Sequence, residues 1–579
     1  MLYQYSSFAL TVILLFSAFA GVKATNGSQS SPMEIIVPDD YSTIQGAVGA
    51  ARAGDVIRVR AGVYHECISM RNTYSLTLLG EDPATTIIDG GESASVISLS
   101  HCSGIAISNF TIRGSSREGP EASCSGIFIH YTGNSSVQNN LIRLNEWGIF
   151  LYDSSGNVLR NNQIADNKFN FGIIGLFLNH FVHDIDDSNK VDGKPVYYWV
   201  NQHNRIAPAD AGYLAAVNSS GIAVENLAFS DNEQGILFAY TVNSTVRGVE
   251  VSDCKHGILL ASSSNCEVAS CAFTDISWSG ITIRYSENNS LRSNHVMNNY
   301  MGAILVNCMH NEITNTSFAG NKIGISLYDS QNNTISGNNI TTNSLRGVSF
   351  QTSSGNFFYN NNFVDNKNQV SVENSVNFWD NDYPSGGNYW SDYDSTDLYS
   401  GSFQNEYGSD GIGDTGYVLD GQNRDGYPLK QPWSYGLQQK LFDFDNENSY
   451  YRLASTTTSI VTHFRFDTST NRLRFTVIEE AAPTGYCVIA IPKALLQPAG
   501  AETWKIFLDS QSVAFTIESN NSYSFVGLSF SQGEHNVEIF VSPAQSDYHL
   551  IMLLVVSAAI LLYTVFLVHR KQRRKRIKL

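Results

Sequence analysis

Apolar residues along this chain fall in short alternating runs broken by Asn, Gly and Ser, as in Ile127-Phe-Ile-His and Ala303-Ile-Leu-Val. A period of two is the mark of strands, and the 3.6-residue period of amphipathic helices is absent. Similar runs open on Gly126, Gly148, Gly212, Gly235, Gly257, Gly280, Gly302, Gly324 and Gly347, with gaps of 22, 64, 23, 22, 23, 22, 22 and 23 residues. A fixed period of this length with two or three short strands per repeat predicts a solenoid whose successive coils stack as parallel strands about 4.8 Å apart. Parallel strands joined by α-helices would need longer repeats.

Asn recurs at two further offsets. Fourteen residues after the glycine it stands at Asn140, Asn162, Asn226, Asn294, Asn338 and Asn361, and nineteen after at Asn145, Asn167, Asn299, Asn321, Asn343 and Asn366. Asn tolerates left-handed backbone, and its amide can bond to the same amide one coil away. These columns are therefore expected to turn the corners and lock the stack. A stack also needs covered ends, and Tyr41 to Asp55 reads as a short capping helix started by Ser42 or Thr43 and ended near Gly54. The 64-residue gap holds one coil plus about forty residues, 170–211, expected as a long loop over the coil surface.

The fold class that follows is all-β: a right-handed parallel β-helix of the pectin-lyase-like solenoid type, then a small β-sandwich and a C-terminal transmembrane helix. By position this means a signal peptide over 1–24, the β-helix over 33–379, an Asp-, Gly- and aromatic-rich closing segment over 380–435 and the sandwich over 436–543. The apolar run from Leu550 to Val568 sets the transmembrane helix at 549–568. Arg570, Lys571, Arg573, Arg574, Lys575, Arg576 and Lys578 put the 569–579 tail in the cytoplasm, and hence the rest outside a cell membrane crossed once.

Charge then narrows the partners. The chain carries 36 Lys plus Arg against 53 Asp plus Glu, and seven of those cations belong to the tail. So acidic an exterior excludes nucleic acid as a partner. Sequons such as Asn134-Ser-Ser and Asn243-Ser-Thr agree with an exported, glycosylated surface. The eight cysteines have no CxxC spacing, so no zinc or redox motif is signalled.

Three stretches resemble the NosD-like, "carbohydrate-binding and sugar hydrolysis" β-helix proteins found as exported proteins of archaea. They are Ala53-Gly-Asp-Val-Ile-Arg-Val-Arg-Ala-Gly-Val-Tyr, Asp192-Gly-Lys-Pro-Val-Tyr-Tyr-Trp-Val-Asn with Asp210-Ala-Gly-Tyr, and Gly387-Asn-Tyr-Trp-Ser-Asp through Tyr427-Pro. The resemblance spans residues 33 to 435 and implies the fold and export. The members that give the family its name resemble accessory proteins that help deliver copper to a periplasmic reductase.

Candidate chemistry lies off the repeating columns. In 170–211, His183, Asp184 and Asp186, with His180 and Asp187 beside them, are candidates for sugar cleavage by paired carboxylates or a base. Tyr197, Tyr198 and Trp199, and in the closing segment Tyr389, Trp390 and Tyr393, are candidate exposed platforms for sugar rings. Asp392, Asp394, Asp397, Asp410 and Asp414 alternate with Gly and Ser as oxygen-rich calcium loops do, without an EF-hand spacing. Copper would need His295, Met297, Cys308, Met309 and His310 to converge, yet their offsets fall in different columns. The function expected is binding of an extracellular polysaccharide or glycan, or adhesion to envelope proteins, by a membrane-anchored surface protein. A polysaccharide lyase or glycoside hydrolase is the first alternative and a copper accessory protein the second.

Overall fold

The computed structural model describes residues 32–116, 124–407, 409–433, 438–446, 449–457, 459–499 and 502–543, with Ile560, Leu562 and Thr564. The expected signal peptide and basic tail lie outside these residues, as does the expected span apart from those three. Among the described residues no helix is long and apolar enough to cross a membrane.

The repeat builds a parallel β-solenoid with a short helix at its start. That helix, Ile44–Ala50, is capped by the Thr43 side chain, which accepts from Gly46 N. Glu66 takes its two leading amides, Ile44 N and Gln45 N, at 2.8 Å each. Ile44, Ala47 and Val48 close the first core.

Buried side-chain ladders lock the coils. From Asn289 through Asn311, Asn333 and Asn356 to Asn377, each Nδ2 donates to the next Oδ1 at 2.9–3.0 Å. The columns expected at offsets fourteen and nineteen run as ladders too, for example Asn338 to Asn361 and Asn299 to Asn321. A fourth column uses hydroxyls, Ser330 to Ser353 to Ser375. The expectation that one Asn both turns the corner and carries the ladder is corrected. The left-handed residue is the neighbour just before the rung, exposed in Asn288, Asn298 and Asn332 and half-buried in Asn360. One side chain cannot point into the core for its rung while its own backbone makes the outer turn, so two residues share the task. Asn226 belongs to the outer set, with φ +54° and an exposed side chain.

The glycine column has a steric cause. A Cβ on Gly257 would lie 2.3 Å from Gly280 O, and one on Gly302 would lie 2.4 Å from Gly324 O. The coils pinch there too closely for any side chain.

The 170–211 segment differs from the expected loop. Phe169–Ile174 ends a five-stranded sheet and Asp184–Ile185 ends a seven-stranded one. The third face of the helix instead continues, through the antiparallel pair Lys190–Val191 and Lys194–Val200, into a sheet of fifteen strands that runs to Val370–Glu373. Asp192 and Gly193 turn that pair with φ of 49° and 79°, the two-residue Asp-Gly hairpin. Just beyond the pair, through strands Tyr213–Val217, Gln234–Ala239 and His256–Ala261, this sheet is buried on both faces. On strand Tyr213–Val217, Leu214 and Ala216 face a second core, while Ala215 and Val217 face the first; Ile236 and Phe238 alternate with Leu237 and Ala239 in the same way. The second helix is thus built on the far side of a sheet that the first helix also uses.

Trp379 and Trp390 seal the second core, with Phe363, Trp390 and Tyr417 stacked at 4.2 and 4.3 Å. Residues from Gln438 to Pro543 form an antiparallel sheet of eight strands, six in one path and two as side branches, around a separate core of Phe464, Phe475, Ile489, Val526 and others.

The ladder accounts for a measurable share of stability. Asn338 is fully buried, accepts from Thr316 N at 2.9 Å and donates to Ile313 O and Asn361 Oδ1 at 2.8 and 2.9 Å. Asn338→Ala strands three buried partners and is expected to cost about 3 kcal/mol or more. Asn332→Gly, at an exposed residue with φ +53°, is expected to change stability by less than about 1 kcal/mol. Urea unfolding of the two variants checks the contrast.

Candidate functional site

Where the two helices meet, the ordered coil is interrupted and a cleft of about 410 Å³ opens between residues 183–187 and 196–208. Asp184, Asp186, Asp187, Tyr197, Gln202 and Arg205 supply its polar lining. Seven-residue strand Lys194–Val200, paired along its length with Tyr213–Val217, holds the aromatic side. Strand Asp184–Ile185, paired with Val158–Arg160, holds the acidic side.

His183 does not serve as a base. It is buried and occupies the rung that Asn157 fills one coil earlier: Ser135 N donates to Asn157 Oδ1, and Asn157 N donates to His183 Nδ1 at 3.3 Å. Its Nε2 then donates to His180 O at 3.1 Å. Both ring nitrogens are engaged in the neutral form, and burial pushes the pKa down to about 4. His180 is paired separately with Asp153 at 2.8 Å.

Asp184 and Asp186 both meet the Arg160 guanidinium, at 2.6 and 3.0 Å. Asp186 also accepts from Ser188 N. Two carboxylates gathered on one cation lie on one side of the cleft. Glycoside cleavage needs them on opposite sides of a bond.

All three aromatics line the cleft, and Tyr197 is the least buried of them, its OH donating to Asp210 at 2.9 Å. Desolvation first, then Asp210 and Asp187, raise its pKa. Tyr198 is not the exposed platform expected, because it is buried in the first core and its OH donates to Phe181 O. Trp199 is buried as well, yet the Arg205 guanidinium lies 4.8 Å over its ring and is held at the cleft mouth. Arg205 and Gln202 were not singled out from sequence. Gln202 and Arg205 stand one coil before Ser219 and Ile222 in the stack, but no glycine of the period precedes them at the usual offset, so the glycine count does not reach them.

The closing-segment candidates are mainly a lid on the second core. Trp390 is buried rather than exposed and its Nε1 donates to Asp425 at 2.8 Å. Asp425, also buried, is pushed up to about 7 by desolvation. Tyr393 donates to Thr415 O, and Tyr389 is half-buried at the last strand. The five aspartates take separate local roles. Asp397 accepts from Ser409, Asp410 N and Gly411 N, and burial followed by the neighbouring Asp410 pushes it up to about 7. Asp410 accepts from Ile412 N, Asp414 from Leu398 N and Tyr399 N, and Asp392 from Tyr417 OH, while Asp394 is exposed. Among the described residues, no group of three or more His, Cys, Asp or Glu gathers as metal ligands. His295 and Met297 lie on one strand, and Met309 and His310 in the turn of the next coil. Cys308 points into the core, where burial pushes its thiol up to about 11.

The sequence matches the profile of the family described as periplasmic copper-binding protein (NosD) over residues 85–205 and 188–395, together more than half the chain. No curated protein matches it. Similar solved structures include the mannuronan C-5 epimerase AlgE6 A-module of Azotobacter vinelandii, at 15% identity, 58% of this chain, 94% of that one and a TM-score of 0.27. The Dettilon tailspike protein (gp208) is similar at 11% identity over 88% and 94%, with a TM-score of 0.28. The catalytic domain of a GH87 alpha-1,3-glucanase in complex with nigerose gives 13% identity, 62% and 71%, and 0.25.

His183→Asn restores the side chain that other coils use for this rung and is expected to keep stability at pH 7 within about 1 kcal/mol. Because the folded pKa of His183 lies below the ordinary 6.5, the unfolded chain takes up a proton that the fold refuses. The stability from this group is full above pH 6.5 and is lost as pH falls toward about 4, by roughly 3 kcal/mol. Urea unfolding at pH 7 and pH 5 should show a steeper loss in the parent chain than in His183→Asn. Equal slopes would remove the ladder role.

Proposed function

This chain belongs to the NosD family of parallel β-helix proteins, and from that starting point we propose that it binds extracellular glycan in the junction cleft. The observation that carries this reading is the convergence of a tyrosine, a guanidinium stacked on tryptophan, a carboxamide and three carboxylates around one open hollow. Carboxylates, amides and guanidinium groups satisfy the paired hydroxyls of a sugar, while the Tyr197 ring covers its apolar face. The supporting strands are fixed by parallel ladders on both sides, so the groups are preorganised.

The sequence features at the two ends extend the proposal to place. A signal peptide over 1–24 and a span over 549–568 would display the β-helix outside the cell as an anchored, glycan-binding or adhesive surface protein. Cleavage of the bound chain finds less support, because Asp184 and Asp186 share Arg160 and His183 is a ladder rung. Among the described residues, no group of three or more His, Cys, Asp or Glu gathers to supply the copper chemistry of the family's description. Cys308 is buried in the core, whereas His295, Met297, Met309 and His310 are exposed.

A screen of the full chain against neutral, amino and uronic polysaccharides tests the proposal. Binding without change in product size is expected, and Tyr197→Ala should weaken it about tenfold. Failure to bind any glycan, or equal binding by the variant, would overturn it.

A further inference from the structure

The antiparallel domain holds a second hollow, of about 270 Å³, lined by His463, Arg465, Arg474 and Glu538 with the polar side chains of Thr476, Ser510 and Asn536. Strand Ile460–Asp467 pairs with Arg472–Pro492 in a register that sets Arg465 opposite Arg474. Like charges facing each other across a ladder are unfavourable unless something lies between them. Glu538 does not resolve the conflict for both. It is shared by Arg474 at 2.7 Å and Arg472 at 2.6 Å, and Asp467 lies 3.6 Å from Arg474, so the guanidinium left without a carboxylate among the described residues is that of Arg465. Arg465 is exposed and, among the described residues, makes no ion pair.

Backbone shape points to the same place. The register slips between Thr462 and Arg465, and His463 within that bulge has φ +53°. Bulges re-aim side chains, and a non-glycine residue in this region is held there only by its surroundings. The bulge sets His463 at the wall of the hollow, with its Nε2 3.6 Å from the Glu406 carboxylate. Across the hollow, Thr476 donates to Asn536 Oδ1 at 3.2 Å, which leaves the Asn536 amide NH₂ as the donor to a ligand. Ser510 adds a hydroxyl from the turn.

We propose that this hollow binds a tetrahedral oxyanion, a phosphate or sulfate group, between Arg465 and Arg474, with His463, Ser510 and Asn536 completing its hydrogen bonds. Guanidinium groups match such oxygens in pairs. The bound anion supplies the negative charge that the Arg465–Arg474 pairing lacks. In a chain of net charge −17, the site gives an otherwise acidic surface one place to hold an anionic group, either free in solution or carried on a lipid headgroup.

Calorimetric titration of the full chain with inorganic phosphate and with sulfate, at ionic strength matched with chloride, tests this. Saturable binding is expected, weakened roughly tenfold by R465Q and less by R465K. Vesicles of phosphatidylcholine with phosphatidylglycerol form the second arm. Arg465-dependent recruitment assigns a lipid headgroup as the source, and free-anion binding without recruitment assigns a soluble one. Because Arg465 is exposed and far in sequence from the junction, glycan binding should be unchanged in R465Q, while the unfolding midpoint without anion should be the same or slightly higher, since a like-charge pair is removed. No heat with either anion, or the same heat from R465Q, would overturn the proposal whatever the outcome at the junction cleft.

Discussion

One hydrogen bond, repeated, sets the geometry of the β-helix: a buried side-chain oxygen in one coil accepts the backbone N–H of the coil before it. Asn157, Asn289, Asn311, Asn333 and Asn356 all make it. The polar corners of a narrow coil are buried, and an unpaired amide there would cost about 1–3 kcal/mol. The ladder removes that cost and fixes the spacing between coils. Every later feature, from strand register to the place of the cleft, depends on coils that cannot slide.

Where the ladder meets the chain's one large irregularity, alternation of side chains along a strand becomes a second constraint. Residues at odd and even positions of the long sheet enter different cores. Such a sheet must be apolar on both faces, and the sequences Tyr213-Leu-Ala-Ala-Val and Gly235-Ile-Leu-Phe-Ala are. The first helix can therefore end against the flank of the second without exposing its core. The step leaves a shortened coil, in which residues 201–207 stack on 218–223 before the chain turns back to Tyr213, and the cleft lies beside it. Helices that met end to end would have no such cleft.

Much of this was legible from residue types and spacing. The glycine period, two of the Asn columns, the capping Thr43 and the Asp192-Gly193 turn each follow from local rules. The third Asn column stands nine residues after Gly148, Gly280, Gly302, Gly324 and Gly347 and was as legible as the other two, whereas Asn226 was misplaced because Tyr213, not Gly212, aligns with Gly235. His183 read as chemistry because nothing local says that an imidazole can replace an amide rung. Tyr198 and Trp390 read as exposed because burial on the far face of a sheet, or under a closing segment, is decided by distant chain. Tyr197 and the acidic residues of 184–187 were found, whereas Arg205 and Gln202 required the path of the shortened coil.

The central claim is that function sits at the step between the helices and the regular coils are scaffold. Hydrogen exchange of the full chain, with and without the oligosaccharide that binds it best, tests this most directly. The account predicts added protection confined to residues 184–187 and 197–208, with the coils from Gln234 to Tyr359 unchanged. Protection spread along those coils, with none at the step, would contradict it.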